Sequence, residues 1–179
     1  MTDWIWDASA LHHAALADRL DVLLDLAKDT TPTPGRFLTT SLVVEELTRR
    51  ETWQLCAPFL EVVDLQSYEE LKALTNWLAV VSSGLRSRGE ATVFAWAEVH
   101  GGLVVVDDKD ACRAARRHRL TAHGTLWILA QAIQAGKIPP ASADILVEAL
   151  RKTGARFPSF PAAGGIMAWA RDAGLFGGA

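Results

Sequence analysis

With 179 residues, half of them hydrophobic and 22% charged, the chain is long enough for one domain with a real core, and its composition argues against a disordered or low-complexity protein. A formal net charge of −3 excludes a generally cationic nucleic-acid surface, so an anionic partner would be met by a local basic patch or by bound cations. Two cysteines, Cys56 and Cys112, lack the spacing of a metal knuckle or a disulfide scaffold, the start carries no signal-peptide pattern and no apolar run approaches the roughly 18 residues that span a bilayer, so a soluble cytoplasmic protein is expected.

Residues 3–7 read as a short strand in which Trp4, Ile5 and Trp6 supply aromatic and β-branched bulk, and which ends on Asp7. "ASALHHAALADRLDVLLDLAK" has helical spacing, with Leu16, Leu20, Leu23, Leu24 and Ala27 recurring on one face. The breaker stretch "DTTPTPGR" leads to a second strand, "RFLTT", and Ser41 is expected to N-cap the helix "LVVEELTRRE". A strand over 61–65 follows Pro58, and a helix starts near Ser67 and stops at the Gly84 turn. From Gly89 the helix "GEATVFAWAEVHG" is apolar almost all round, as in a helix packed between layers. The strand 103–106 then runs into Asp107, Asp108 and Asp110, ahead of a helix "KDACRAARRHR". A short strand near 120–122, a helix from Gly124, and a helix opened by Pro139 and Pro140 complete the pattern. The Gly- and Pro-punctuated tail is expected to dock one short helix, and its apolar residues Phe157, Phe160, Ile166, Met167 and Trp169 look exposed enough for dimer burial.

Strands alternating with helices imply an α/β fold whose central, mostly parallel sheet of 4–5 strands is covered on both faces. Right-handed crossovers put every strand's carboxyl end on one rim, where ligands of such folds bind. Asp7 and Asp107/Asp108 both reach that rim. Glu90 joins them at a helix start, and a helical wheel sets Glu46 between Leu42 and Val43 on the inward arc, with Glu45 on the solvated side. Two carboxylates 4 Å apart repel by roughly 4 kcal/mol at an effective dielectric near 20, so a fold gains no stability by gathering four. Hard divalent cations, Mg²⁺ or Mn²⁺, remove the conflict. Arg86 and Arg88 flank the Glu90 turn and suit phosphate contact, Lys109 sits beside the last acids, and Arg113, with Arg116 and Arg117, forms a helix face read first as solvated and second as an RNA-backbone contact. The adjacent pair His12–His13 cannot share a helix face and does not read as a ligand pair.

In the order Asp7 ("WDASAL"), Glu46 ("VVEELTR"), Glu90 ("RGEATVFAWA") and Asp108 ("VVVDDKDACR"), the sequence resembles the PIN domain, a metal-dependent nuclease fold rich in bacterial VapC-type toxins. The Gly-Glu start at Gly89, the 18-residue step from Glu90 to Asp108 and the later "HGTLWILAQAIQAGKI" are similar to one subgroup. The resemblance implies a three-layer α/β/α domain over residues 1–150 with a C-terminal extension over 151–179, and a Mg²⁺- or Mn²⁺-dependent ribonuclease. In it Asp7, Glu46, Glu90 and Asp108, with Asp107 as a further ligand candidate, hold metal, and Ser9 orients the first carboxylate or a water. It further implies an RNA substrate, a homodimer and a cognate antitoxin. The doubled acids leave Glu45 versus Glu46 and Asp107 versus Asp108 open. Two other readings stand beside it: an inactive PIN-fold binding module, and a receiver-like phosphoacceptor domain, for which the first strand offers only one acid.

Overall fold

The computed structural model describes residues 2–30, 34–81, 87–161 and 163–176. Five strands form one sheet among them: β1 (Thr2–Trp6), β2 (Pro34–Thr40), β3 (Glu61–Val63), β4 (Leu103–Val105) and β5 (Thr121–His123), in the order β3-β2-β1-β4-β5. Every pairing is parallel, with Ile5 beside Leu38 on one side and Val104 on the other. Trp4, Ile5, Trp6, Leu38, Val104 and Val105 are all inaccessible to solvent. Since successive residues of a strand point to opposite faces, the sheet is covered on both. Each such large side chain removed from water stabilises the fold by about 1.5–3 kcal/mol. Chain order reverses between β1 and β4, and the switch point therefore lies where Asp7 and Asp107 leave the sheet.

The chain forms two compact units, one of residues 1–12 and 33–124, the other of 13–32 and 125–179. The first holds the sheet and the helices α3 (Ser41–Arg49), α4 (Trp53–Cys56), α5 (Tyr68–Val80), α6 (Ser87–His100) and α7 (Lys109–Arg117); α1 (Ala8–Leu16) begins in it and runs into the second. Here α6 packs on β1, β2 and β4, and α5 and α3 pack on α6. The segment 8–28, expected as one helix, is two, α1 and α2 (Leu20–Lys28). Asp18 takes a left-handed φ of +53°, and the Arg19 N–H bonds the Ala14 carbonyl at 2.9 Å, the pattern of a left-handed helix stop. Ser41 is the first helical residue rather than the cap; Thr40 precedes the helix, and the Ser41 hydroxyl donates to the Asp64 carboxylate. The last strand is shifted by one residue from the expected 120–122, and α4 was not foreseen at all.

In the second unit α2 packs on α8 (Thr125–Gln134), and α10 (Gly165–Asp172) packs on α8 and α9 (Pro140–Lys152). Asp144 of α9 caps α10, accepting the Ile166 N–H at 2.8 Å. Gly165 takes a left-handed φ of +51°, and a Cβ there would also crowd that carboxylate, which favours glycine. Of the tail's apolar residues expected to be open, Ile166 is fully buried, while Phe157, Phe160, Met167 and Trp169 are half-buried, Phe160 lying against Trp169 and beneath the Arg151 guanidinium.

Candidate active site

Three of the four candidate acids stand at helix N-termini, where unpaired N–H groups and the positive end of the helix favour a carboxylate. Asp7 ends β1 and opens α1. Its Oδ2 accepts the Ser9 backbone N–H at 2.9 Å and the Ser9 hydroxyl at 2.6 Å. Its Oδ1 is buried without a hydrogen-bond partner, in a residue only 2% exposed. Burial pushes the Asp7 carboxyl above its usual range, against the hydrogen bonds from Ser9 and Ala8 and the charge of Arg50. Helix capping thus explains one oxygen and leaves the other orphaned, at a cost of about 1–3 kcal/mol. The Ser9 hydroxyl also accepts the Asp107 N–H at 3.1 Å, tying the ends of β1 and β4 together.

Glu46 projects from α3 on the arc that buries Val43 and Leu47; its side chain is 12% exposed, whereas Glu45 faces solvent. Glu46 Oε1 pairs with Arg50 at 2.6 Å. Its other oxygen borders Gly89: a Cβ there would stand 3.5 Å from Glu46 Oε2, 3.9 Å from Asp7 Oδ1 and 3.3 Å from Val43. The missing side chain of Gly89 keeps the space between two acids open. Glu90, the next residue, is half-buried, and its carboxyl is pushed up to about 8, first by burial and then by the charges of Asp7, Asp108 and Glu46. Acids from four separate elements therefore share one electrostatic site.

A buried hydroxyl pair fixes the Gly89–Glu90 turn. Thr92 donates to the Gly89 carbonyl at 2.7 Å, which spends its proton, so Thr40 donates to Thr92 at 2.7 Å. Asp108 caps α7, its Oδ1 accepting the Asp110 and Ala111 N–H groups, each at 2.9 Å, while Asp107 lies half-buried against Gly124. Arg88 and Lys109 are exposed, Arg113 pairs with Asp110 at 2.9 Å, and Arg86 lies outside the described residues. Arg116 is exposed and reaches β5, donating to the Ala122 carbonyl at 2.8 Å and meeting His123 Nδ1 at 3.0 Å. Burial, then Arg116, pulls His123 down to about 4, so it is neutral near pH 7.

A family model for the PIN domain matches residues 3–162. The chain belongs to the PIN-domain family. No curated protein and no solved structure matches it. PIN domains are generally nucleases, and this one has the α/β/α PIN-like fold with a central parallel sheet. The donor set of this PIN domain, carboxylate oxygens only, suits a hard divalent cation, and the orphaned Asp7 Oδ1 suits a cationic neighbour. Among the described residues, no three His, Cys, Asp or Glu side chains stand at the spacing of a formed metal site. Glu46 is drawn toward Arg50 and Asp108 into its own helix cap.

Two parts of the site escaped the sequence reading. The Thr40–Thr92 clamp had one available signal, a β-branched hydroxyl residue inside a helix, where such residues bond back to an earlier carbonyl. The place of Arg50 beside the acids was not read, because linear spacing does not reveal that Asp7 stands nearby.

Proposed function

We propose that this PIN domain is a Mg²⁺- or Mn²⁺-dependent endoribonuclease in which Asp7, Glu46, Glu90 and Asp108 hold the cation, with Asp107 as a further ligand candidate beside Asp108. The observation that carries the reading is Asp7 Oδ1, a buried carboxylate oxygen with no hydrogen-bond partner, facing the same Gly89 space as Glu46 Oε2. When bound, the cation supplies Lewis-acid polarisation of the phosphodiester and a water of lowered pKa. The chain's own residues prepare the site. Ser9 holds Asp7 through Oδ2 and aims Oδ1 inward. Glu90, raised to about 8 by burial and then by the neighbouring acids, would give up its proton to hold a cation there.

Arg88, Lys109 and Arg113 are exposed and, with Arg86, supply phosphate contacts that orient the RNA without reading its sequence. The resemblance to VapC-type toxins with a Gly-Glu third acid supports a cytoplasmic toxin, homodimeric, held in check by a cognate antitoxin. Among the described residues, no helix is long and apolar enough to cross a membrane. The test is cleavage of labelled single-stranded RNA in Mg²⁺ or Mn²⁺, in EDTA, and by Asp7→Asn. Loss in both EDTA and the variant is expected. Cleavage that survives either would overturn the assignment. The open spacing of the acids favours a second reading, an inactive PIN-fold binding module; RNA binding without Mn²⁺ binding by calorimetry would establish it instead.

A further inference from the structure

Arg50 is the residue that ends α3, a helix C-terminus where cations are favoured, and its own N–H is anchored to the Glu46 carbonyl at 3.1 Å. One turn back, Glu46 Oε1 receives its guanidinium at 2.6 Å. The two side chains are 30% and 12% exposed, so this is not a fully solvated surface pair. The carboxylate it grips is the one whose second oxygen shares the Gly89 space with the orphaned Asp7 Oδ1. Arg50 also draws the Asp7 proton affinity down, which means that its charge is felt within the acid cluster.

A guanidinium at Oε1 and a divalent cation at the Gly89 side of Glu46 neutralise the same carboxylate and repel each other. The arrangement is an internal competition. We propose that Arg50 is the built-in counter-cation of the acid site, holding Glu46 in the metal-free protein and yielding it to a divalent cation, so that it sets the concentration at which the site loads. This rests on the metal-nuclease reading above. Arg50 gives the four acids part of the positive charge they lack, which lets them fold together before any cation arrives. It also keeps Glu46 turned away from the chelating arrangement until a doubly charged competitor is present.

The experiment is calorimetric titration of the full chain with Mn²⁺, comparing wild type, Arg50→Gln and Arg50→Lys, each first checked for folding by circular dichroism. Arg50→Gln is expected to bind Mn²⁺ about three- to ten-fold more tightly, as for loss of a partly buried charge-assisted pair, and Arg50→Lys to stay near wild type. The difference should shrink as salt is raised. In parallel, the Arg50 Nε–H resonance of wild type should move on Mg²⁺ titration with the same midpoint as binding, which tests the idea even if the glutamine variant does not fold. Wild type and Arg50→Gln binding Mn²⁺ equally, with a stationary Arg50 signal, would overturn this inference and leave the metal reading intact. Binding by Arg50→Gln alone would support it in its strongest form. No binding by any of the three would overturn the inference and the metal reading together.

Discussion

At the scale of single residues, the two oxygens of Asp7 are treated differently by the fold, and the proposed function assigns the second one to the cation. Oδ2 does the work of a helix cap through Ser9, and Oδ1 is kept buried and without a hydrogen-bond partner. Burying such an oxygen without a partner costs stability, which its raised proton affinity offsets in part. Replacing Asp7 by Asn keeps an oxygen for Ser9 and removes the orphaned carboxylate oxygen. The metal-free variant is expected to be more stable than wild type by about 1–3 kcal/mol at neutral pH, a rise in Tm of roughly 2–4 °C per kcal/mol. Added Mn²⁺ should raise the Tm of wild type and leave that of Asp7→Asn unmoved. A variant that melts lower than wild type would show that Asp7 serves the fold alone. The acids themselves were legible in the sequence because each ends a strand or opens a helix, whereas Glu46 needed the wheel argument to separate it from Glu45. The partners of those acids were not legible, since Arg50, Thr40 and Thr92 matter only through neighbours distant in the chain.

At the scale of elements, the α5–α6 pair shows how a site far from a helix's other end is held still. Ser67 and Glu70 form a capping box at the start of α5, and Glu70 Oε2 also accepts the Gln66 N–H at 2.8 Å. Glu70 Oε1 meets His100 Nε2, at the far end of α6 from Glu90, at 2.6 Å. The His100 contact, followed by the backbone bond from Ser67, holds the Glu70 carboxyl down at about 2. The folded value lies below the unfolded one, near 4.5, so the stabilisation is complete above about 4.5 and is lost as pH falls toward 2. Urea midpoints measured from pH 6 to 2.5 should therefore drop through that window in wild type and change less in Glu70→Gln, which starts lower at pH 6. Parallel curves for the two proteins would mean that the clasp contributes nothing. The helix expected to start near Ser67 does start there, and the Ser67–Glu70 capping box is the physical reason. The break between α1 and α2 carried no such signal: "ADRLD" has neither Gly nor Pro, and an Asp adopts the left-handed region of Asp18 only occasionally.

At the scale of the whole molecule, alternation of strands and helices sufficed to read a parallel sheet with all its acids on one rim, because crossover handedness leaves little freedom. Strand order and the assembly of each compact unit from separate stretches of chain were beyond that reading, being set by contacts between segments far apart in sequence. The charge balance has the wider consequence. A chain of net charge −3, whose described rim offers Arg88, Lys109 and Arg113 beside a cluster of acids, has little positive field with which to attract RNA. Its affinity should then come mainly from cations bridging the acids and the phosphate. Anisotropy of a labelled single-stranded RNA is expected to show binding at least about ten-fold tighter in Ca²⁺ than in EDTA, a discrimination worth about 1.4 kcal/mol or more. Four phosphate contacts, from Arg86, Arg88, Lys109 and Arg113, at about 0.7 each for single strands, give a slope of log K against log salt near −3. Binding indifferent to Ca²⁺, with a slope near −5, would require a basic surface that the described residues do not form, and RNA would then be held by something other than the acidic rim.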